Sequence, residues 1–193
     1  MGERSLAAKR LIVCVTGMAG AGKSTAANAI AGIGFTLVNM GDVIREEATK
    51  RRLDPTDANV GSLMLELRRV NGARAVAELC IDKIETIEDR YVVVDGVRSL
   101  DEVETFRERG RVLLVAAHAS PARRYEYLRS RGRPDAPRDW DDFRVRDGRE
   151  LSVGVGATVA LADEVVPNNR LSLDEFRHKA IEVVKQAMTE VEV

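Results

Sequence analysis

The chain has 193 residues and a net charge of −1 at pH 7, with 45% hydrophobic and 32% charged residues. This composition is typical of one globular domain and excludes a disordered chain, and the balanced charge gives no overall attraction to nucleic acid or anionic membrane. The apolar run at 11–16 is too short to span a membrane. Cys14 and Cys80 lie in apolar patterns without metal-ligand spacing, so we expect core positions and, without a disulfide framework, a cytoplasmic protein.

The first predicted element is a short buried strand that leads into a phosphate-binding loop. Residues 11–16 are apolar and β-branched, and the pattern G-x-x-x-x-G-K-[ST] follows them and opens a helix. Glycines let the backbone wrap a phosphate, and the N–H groups of the helix N-terminus face the anion. The residues expected to bind ATP are Gly17, Met18, Ala19, Gly20, Ala21, Gly22, Lys23, Ser24 and Thr25. Lys23 is expected to reach the β and γ phosphates, and the Ser24 hydroxyl to bind Mg²⁺.

Strands and helices alternate along the rest of the chain. Further strands are predicted at 35–38, 91–96, 111–117 and 165–166, and helices begin near residues 41, 99, 121 and 172. Two amphipathic helices lie between the second and third strands. Their predicted inward faces are Val60, Leu63, Met64, Leu67 and Val70, and Val76, Leu79, Cys80, Lys83, Ile84 and Ile87. This alternation predicts an α/β domain with a parallel sheet, whose ligands bind beyond the carboxyl ends of the strands.

Charged side chains follow two of the predicted strands. Asp95 ends the third strand, where the Mg²⁺-binding acid of a P-loop enzyme belongs; an acid that caps a turn is the alternative. Arg45 and Arg98 follow the second and third strands, and a guanidinium binds phosphate through two parallel hydrogen bonds. Taken alone, either arginine would be interpreted as a solvated surface residue.

Residues 123–150 form an arginine-rich segment. It contains nine arginines and no lysine, and Gly132, Pro134 and Pro137 indicate a loop in its middle. Its apolar residues are chiefly Trp140 and Phe143. Because like charges repel one another until a polyanion binds, this segment is predicted to be mobile when empty and to close on phosphate.

Four segments resemble nucleotide kinases. Residues 40–47, which contain Gly41, Asp42 and Arg45, resemble the G-D-x-x-R segment of adenylate kinase. Residues 94–98, with Asp95 and Arg98, resemble its D-G-x-x-R-type segment, one residue shorter. The lid entry of these kinases is similar to 119–131, and the last strand and helix of dephospho-CoA kinase are similar to 162–173. As a whole, residues 10–185 resemble the adenylate-kinase-related family of archaea.

This resemblance implies a P-loop NTPase fold of three layers, with a five-stranded parallel sheet in the order 2-3-1-4-5. It implies a single domain whose core covers about 10–40, 89–122 and 151–190, with a helical acceptor-binding arm at 41–88 and a lid at 123–150. The residues implied to hold the acceptor are Asp42, Arg45 and Arg98, and those implied in catalysis are Lys23, Arg124, Arg131, Arg146 and Arg149.

The expected ligands are ATP with Mg²⁺ and a phosphate-bearing, nucleotide-like acceptor. AMP is the first choice because two arginines are available for its phosphate, and dephospho-CoA is the second. Met40 and Tyr127 depart from the kinase pattern, in which a hydroxyl residue and an arginine are usual. An ATP- or AMP-binding regulator without turnover is the alternative that Tyr127 favours. Neither a membrane nor a nucleic acid is an expected partner, and the assembly is expected to be a monomer or a homodimer.

Overall fold

Strands and helices alternate along the residues that the computed structural model describes, which are 10–54, 56–132 and 136–191. The strands are β1 (Leu11–Thr16), β2 (Thr36–Asn39), β3 (Tyr91–Val97), β4 (Arg111–His118) and β5 (Glu164–Pro167). The helices are α1 (Lys23–Ala31), α2 (Met40–Lys50), α3 (Asp57–Asn71), α4 (Ala75–Glu85), α5 (Leu100–Arg107), α6 (Pro121–Ser130), α7 (Trp140–Val153), α8 (Val155–Ala160) and α9 (Leu173–Val191). Every predicted strand is present, whereas the sequence pattern predicts neither α7 nor α8.

All five strands pair in parallel in the order β2-β3-β1-β4-β5, which confirms the predicted fold class and strand order. Successive residues of β1 face opposite sides of the sheet. Ile12 and Cys14 pack against α2–α5, whereas Leu11, Val13 and Val15 pack against α1 and α9. Helices therefore cover both faces, which is why β1 is buried along its whole length and apolar from Leu11 to Val15.

Both cysteines lie in the core, as predicted. Cys14 and Cys80 are fully buried, and both belong to the hydrophobic core between the sheet and α2–α5. Burial raises the pKa of both thiols, that of Cys80 to about 12, so neither is a reactive thiolate.

Helices α2, α3 and α4 occupy the range predicted as the acceptor-binding arm. The predicted inward faces of α3 and α4 are wrong at two positions: Val70 is 62% exposed, and the side chain of Lys83 is 41% exposed and pairs with Glu46. Residues 69–72 are all exposed, so the last turn of α3 extends past the helices on which it packs, and helical spacing alone does not bury its side chains. The helix ends at Asn71, and Gly72 is its C-cap.

The arginine-rich segment folds into α6 and α7, and the connection between them contains Gly132 and Pro137. Pro134 lies outside the described residues. Tyr125, Leu128 and Phe143 pack with Ala19 of the phosphate-binding loop, and Trp140 lies 5.1 Å from Phe143 between ring centroids. Trp140 and Phe143, the chief apolar residues of this segment, therefore pack with aromatic and aliphatic side chains of α6 and form a small core with the loop.

The carboxyl ends of the strands meet at one edge of the sheet, because the strands are parallel. The phosphate-binding loop follows β1, Asp95 lies near the end of β3, and Asn168 follows β5. In the described ranges, no helix is long and apolar enough to cross a membrane.

Candidate functional site

The phosphate-binding loop joins β1 to α1 and needs glycine at its start. Gly17 has φ 141°, and a Cβ there would lie 2.2 Å from the carbonyl oxygen of Ala117 on β4. Any larger residue would displace the loop from the sheet edge or strain its backbone. The glycine of the motif is thus required by the neighbouring strand as well as by the turn.

Lys23 begins α1, and its ammonium folds back over the loop. Its Nζ donates to the carbonyl oxygens of Gly17 at 2.7 Å and Met18 at 3.1 Å. Burial lowers the pKa of Lys23 to about 8. The negative charge of Glu150 is the strongest influence that raises this pKa. A bound triphosphate would favour the protonated ammonium further, since opposite charges raise the pKa of a lysine.

Asp95 is buried near the end of β3, with 4% of its surface exposed. Its Oδ2 accepts a hydrogen bond from Nδ2 of Asn39 at 3.0 Å, and no described residue donates to its buried Oδ1. Burial raises the pKa of Asp95, and the Ser24 hydroxyl and the Lys23 ammonium act in the opposite direction. Asp95 thus keeps one buried oxygen without a donor and also interacts with the Ser24 hydroxyl, and both groups supply the oxygen ligands that Mg²⁺ prefers.

The protein alone does not complete a metal site. Among the described residues, no group of three or more histidine, cysteine, aspartate or glutamate side chains could hold a metal ion. Mg²⁺ commonly keeps several waters and is held by one or two protein groups together with the phosphates of its nucleotide. The predicted ligands Ser24 and Asp95 fit that mode of binding.

Asn39 connects Asp95 to the first turn of α2. Its Oδ1 accepts from the backbone N–H of Asp42 at 3.2 Å, while its Nδ2 donates to Asp95. One amide therefore caps the helix that carries Arg45 and orients the buried acid. Sequence reasoning missed Asn39 because β2 was expected to end at residue 38, although an asparagine before a helix is a typical N-cap.

Two predicted acceptor residues lie together at the start of α2. The guanidinium of Arg45 is 2.7 Å from Oδ1 of Asp42, and their side chains are 45% and 62% exposed. This pair stands at the same sheet edge as Asp95 but does not line the cavity described next.

A cavity of about 490 Å³ opens beside the phosphate-binding loop. Its charged lining residues are Lys23, Arg98, Arg123, Arg131, Arg146 and Glu150. The structure thus brings Arg98 and two of the four predicted lid arginines, Arg131 and Arg146, to one cavity with the loop. Arg149 is exposed on α7 and lies outside this lining.

Arg124 on α6 is buried against α7 and the phosphate-binding loop, and it does not line the cavity. Only 3% of its surface is exposed, and two nitrogens donate to the carboxylate of Asp147 at 2.7 and 2.5 Å. It also donates to the carbonyl oxygens of Ala19 at 3.1 Å and Ala119 at 3.2 Å. Arg124 thus joins α6, α7 and the phosphate-binding loop, and does not present its charge to a phosphate. We call these hydrogen bonds of Arg124 the lid–loop contact.

Arg123 is a cavity residue that the sequence interpretation missed. Its guanidinium lies 4.4 Å from the ring centroid of Tyr127 and pairs with Glu126 at 2.9 Å. The four-residue spacing places Arg123 and Tyr127 on one face of α6, and this spacing was the available signal. Tyr127, which stands where the kinase pattern has an arginine, therefore packs against the guanidinium of Arg123 at the edge of the cavity.

Asn168, which directly follows β5, stabilises the phosphate-binding loop through a hydrogen bond. Its Nδ2 donates to the carbonyl oxygen of Ala21 at 3.0 Å, and its backbone N–H donates to that of His118 at 2.7 Å. The neighbouring Asn169 accepts from the N–H of Ser120 at 2.7 Å. The two asparagines thus hold the ends of β4 and β5 against the loop, whereas the His118 side chain is exposed.

Arg98 is held by residues from three elements. Its Nε lies 3.1 Å from Oε2 of Glu150 on α7, and its Nη1 lies 3.5 Å from the sulfur of Met64 on α3. Its backbone N–H donates to Oε2 of the buried Glu102 at 2.8 Å. Oε1 of Glu102 pairs with Arg68 on α3 at 2.5 Å, so α3 and the residue that follows β3 share one buried carboxylate.

Comparison with known proteins agrees with this geometry. Residues 16–144 match a family model described as an AAA domain. A UPF0200 protein of Hyperthermus butylicus is 46% identical over 173 residues, which cover 90% of this chain and 92% of that protein. Among solved structures, TT1252 from Thermus thermophilus has a TM-score of 0.64 at 16% identity and covers 93% of this chain and 98% of its own. A shikimate kinase from Bacteroides thetaiotaomicron has a TM-score of 0.59 at 16% identity, with coverage of 91% and 98%.

The sheet order and the phosphate-binding loop define a P-loop kinase-like fold. By the matches to its relatives, the chain belongs to the AAA-domain family and, more narrowly, to the UPF0200 proteins. This membership is consistent with the predicted relation to the adenylate-kinase-related family of archaea. The structural neighbours share the fold at low sequence identity, so they do not define the acceptor.

Proposed function

We propose that this protein is an ATP-dependent phosphotransferase that moves the γ-phosphoryl group to a phosphate-bearing, nucleotide-like acceptor, with AMP as the first choice. The observation that supports this proposal is the convergence of Lys23, Arg98 and two lid arginines on one cavity beside the loop. A protein that only bound ATP would not need a second phosphate-binding arginine that faces the lysine of the loop.

On the ATP side, the loop amides and Lys23 bind the β and γ phosphates, and Ser24 and Asp95 hold Mg²⁺. Bound Mg²⁺ neutralises part of the charge on these phosphates during transfer. The hydrogen bond from Asn39 keeps the Asp95 carboxylate oriented, with its second oxygen left for the metal.

On the acceptor side, Arg98 binds the acceptor phosphate, and Asp42 and Arg45 on α2 contact the acceptor from the neighbouring strand end. Glu102 and Met64 hold Arg98 in place through its backbone and its guanidinium. The Asn39 amide connects the two sides, since it caps α2 and contacts Asp95.

Transfer between two phosphates needs position and charge more than a general base. Lys23, Arg131 and Arg146 line the cavity in which the phosphoryl group would pass, and their positive charges would stabilise the negative charge of the transition state. Closure of the lid would exclude water, so that the acceptor and not hydroxide receives the phosphoryl group.

Paired substitutions test the assignment of the two sides. Lys23→Ala should abolish measurable ATP binding in calorimetry, because it removes the ammonium that faces the β and γ phosphates. Arg98→Ala should leave ATP affinity unchanged but weaken AMP binding by about 1.5–3 kcal/mol, the range of a charge-assisted hydrogen bond.

Arg109→Ala is a suitable control, because Arg109 forms a 3.1 Å ion pair with Glu85 away from the cavity. Loss of ATP binding together with intact AMP binding in Arg98→Ala would show that the two sides are assigned the wrong way round.

A further inference from the structure

The cavity contains a carboxylate among its cationic residues. Glu150 on α7 lines it with Lys23, Arg98 and Arg146, and its side chain is 18% exposed. A carboxylate repels phosphate groups, so its presence disfavours both ligands of the proposed reaction. Such a repulsive group in a binding site commonly contributes to discrimination between ligands.

Glu150 occupies the side of Arg98 that a phosphate would use. A guanidinium binds phosphate best through two parallel N–H donors, and the Nε donor of Arg98 points to Oε2 of Glu150 at 3.1 Å. Its Nη1 lies beside the sulfur of Met64 at 3.5 Å, which is a weak acceptor. A phosphate that binds through Nε must therefore take the place of the Glu150 carboxylate.

The position of Glu150 is set by the lid–loop contact. Asp147 lies one turn earlier on α7, and its carboxylate is bound by Arg124, which also donates to the carbonyl oxygen of Ala19. The segment of α7 that carries Glu150 is thus anchored to the phosphate-binding loop. The carboxylate also acts on Lys23, whose pKa it raises more than any other charge does, and it lines the cavity together with Lys23 and Arg98.

We propose that Glu150 is a specificity-determining residue of the acceptor site, which pairs with Arg98 in the empty protein and admits only an acceptor whose phosphate displaces it. This inference rests on the proposed function, in which Arg98 binds the acceptor phosphate. Acceptors that carry only hydroxyl groups cannot compete with a carboxylate for a guanidinium, so they are excluded. A dianionic phosphate can compete, because it offers more charge and two acceptor oxygens.

Glu150→Gln is the direct test, because it removes the charge and keeps the shape. The probes are inorganic phosphate and AMP, each titrated into protein that is saturated with Mg²⁺ and a non-hydrolysable ATP analogue. We expect the variant to bind both probes about five- to tenfold more tightly than the wild type. This is the gain expected when the partly buried ion pair of Glu150 with Arg98 and the repulsion between Glu150 and phosphate are both removed. The affinity for the ATP analogue should change by a smaller factor.

Glu85→Gln is the matched control, because it breaks a glutamate–arginine pair of the same 3.1 Å separation away from the cavity. If Glu150→Gln does not fold, Glu150→Asp retracts the carboxylate from Arg98 and should give a smaller gain in phosphate affinity. Unchanged phosphate affinity in a folded variant would overturn the proposal, and so would an equal gain for phosphate and for the ATP analogue.

The choice of AMP is tested separately. Tighter phosphate binding by Glu150→Gln, combined with no phosphorylation of AMP by the wild type, would support the role of Glu150 and refute AMP as the acceptor.

Discussion

Removal of the Asp147 carboxylate would show how strongly the lid–loop contact stabilises this protein. Arg124 is 3% exposed and donates two parallel hydrogen bonds to Asp147. A guanidinium cannot lose its charge at any ordinary pH. Asp147→Ala would therefore leave a buried cation with only the carbonyl oxygens of Ala19 and Ala119 as acceptors.

The magnitude follows from the burial of the pair. Breaking a buried ion pair by removal of one partner costs about 3–5 kcal/mol. The side chain of Asp147 is 17% exposed, so water can partly solvate the arginine that is left, and we expect a loss of about 2–3 kcal/mol in the free energy of unfolding. For a chain of this length, the corresponding fall in Tm is about 4–12 °C.

Urea denaturation of Asp147→Ala measures this loss, and native-state hydrogen exchange locates it. Protection should fall in α6, α7 and the phosphate-binding loop, and remain in the strands. Glu126→Ala is the control, because it breaks an exposed ion pair on α6 and should leave the denaturation midpoint unchanged. If Asp147→Ala is as stable as the wild type, the reasoning about Arg124 is refuted.

Three further predictions concern the loop and the lid. Burial lowers the pKa of Lys23 to about 8, and bound phosphate raises it, so ATP binding should take up protons and weaken as pH rises above about 8. Calorimetry in buffers of different ionisation enthalpy measures both effects, and equal affinity between about pH 7 and 9.5 would contradict this prediction. Gly20→Ala would place a Cβ 2.7 Å from the carbonyl oxygen of Arg124, at a residue with φ 81°, and should destabilise the fold by more than ~1 kcal/mol. In Gly148→Ala the new Cβ meets nothing within 4 Å, and this variant should stabilise α7 by about 0.5–1 kcal/mol. The midpoints of urea denaturation compare the two variants. Hydrogen exchange across 123–150 should slow when a bisubstrate mimic that joins ATP to AMP binds, and equal protection with and without it would show that the lid does not close.

The phosphate-binding loop and the sheet could be predicted because their signals are local. Apolar, β-branched runs mark the strands, and the spacing of the loop glycines, Lys23 and Ser24 marks the turn that needs them. Asp95 was also recognisable, because an acid at the end of a buried strand reaches the ligand edge of a parallel sheet.

The contacts that shape the cavity could not be predicted, because they join residues that are distant in sequence. Asn39 meets Asp95 across 56 residues, and Arg98 meets Glu150 across 52. Sequence shows that these groups are present, but their pairing depends on the packing of adjacent strands and of the lid.

The lid illustrates a misleading composition. Its arginines suggest mutual repulsion, yet in the described residues Arg123, Arg124 and Arg138 pair with Glu126, Asp147 and Asp142. Counting the acids of the same segment along with its arginines would have corrected that expectation. Whether the lid moves when ligands bind stays a prediction, and it now concerns two helices anchored on an aromatic core.

The central claim is phosphoryl transfer from ATP to a phosphate-bearing acceptor, and one assay tests it most directly. The protein is incubated with Mg²⁺, ATP labelled in its γ-phosphoryl group, and each of AMP, dephospho-CoA, shikimate and gluconate, with Lys23→Ala as the inactive control. We expect that label moves to AMP, that the two acceptors without phosphate stay unlabelled, and that Lys23→Ala transfers nothing. Label that stays in ATP despite measurable ATP binding, or that appears only as inorganic phosphate, would contradict it.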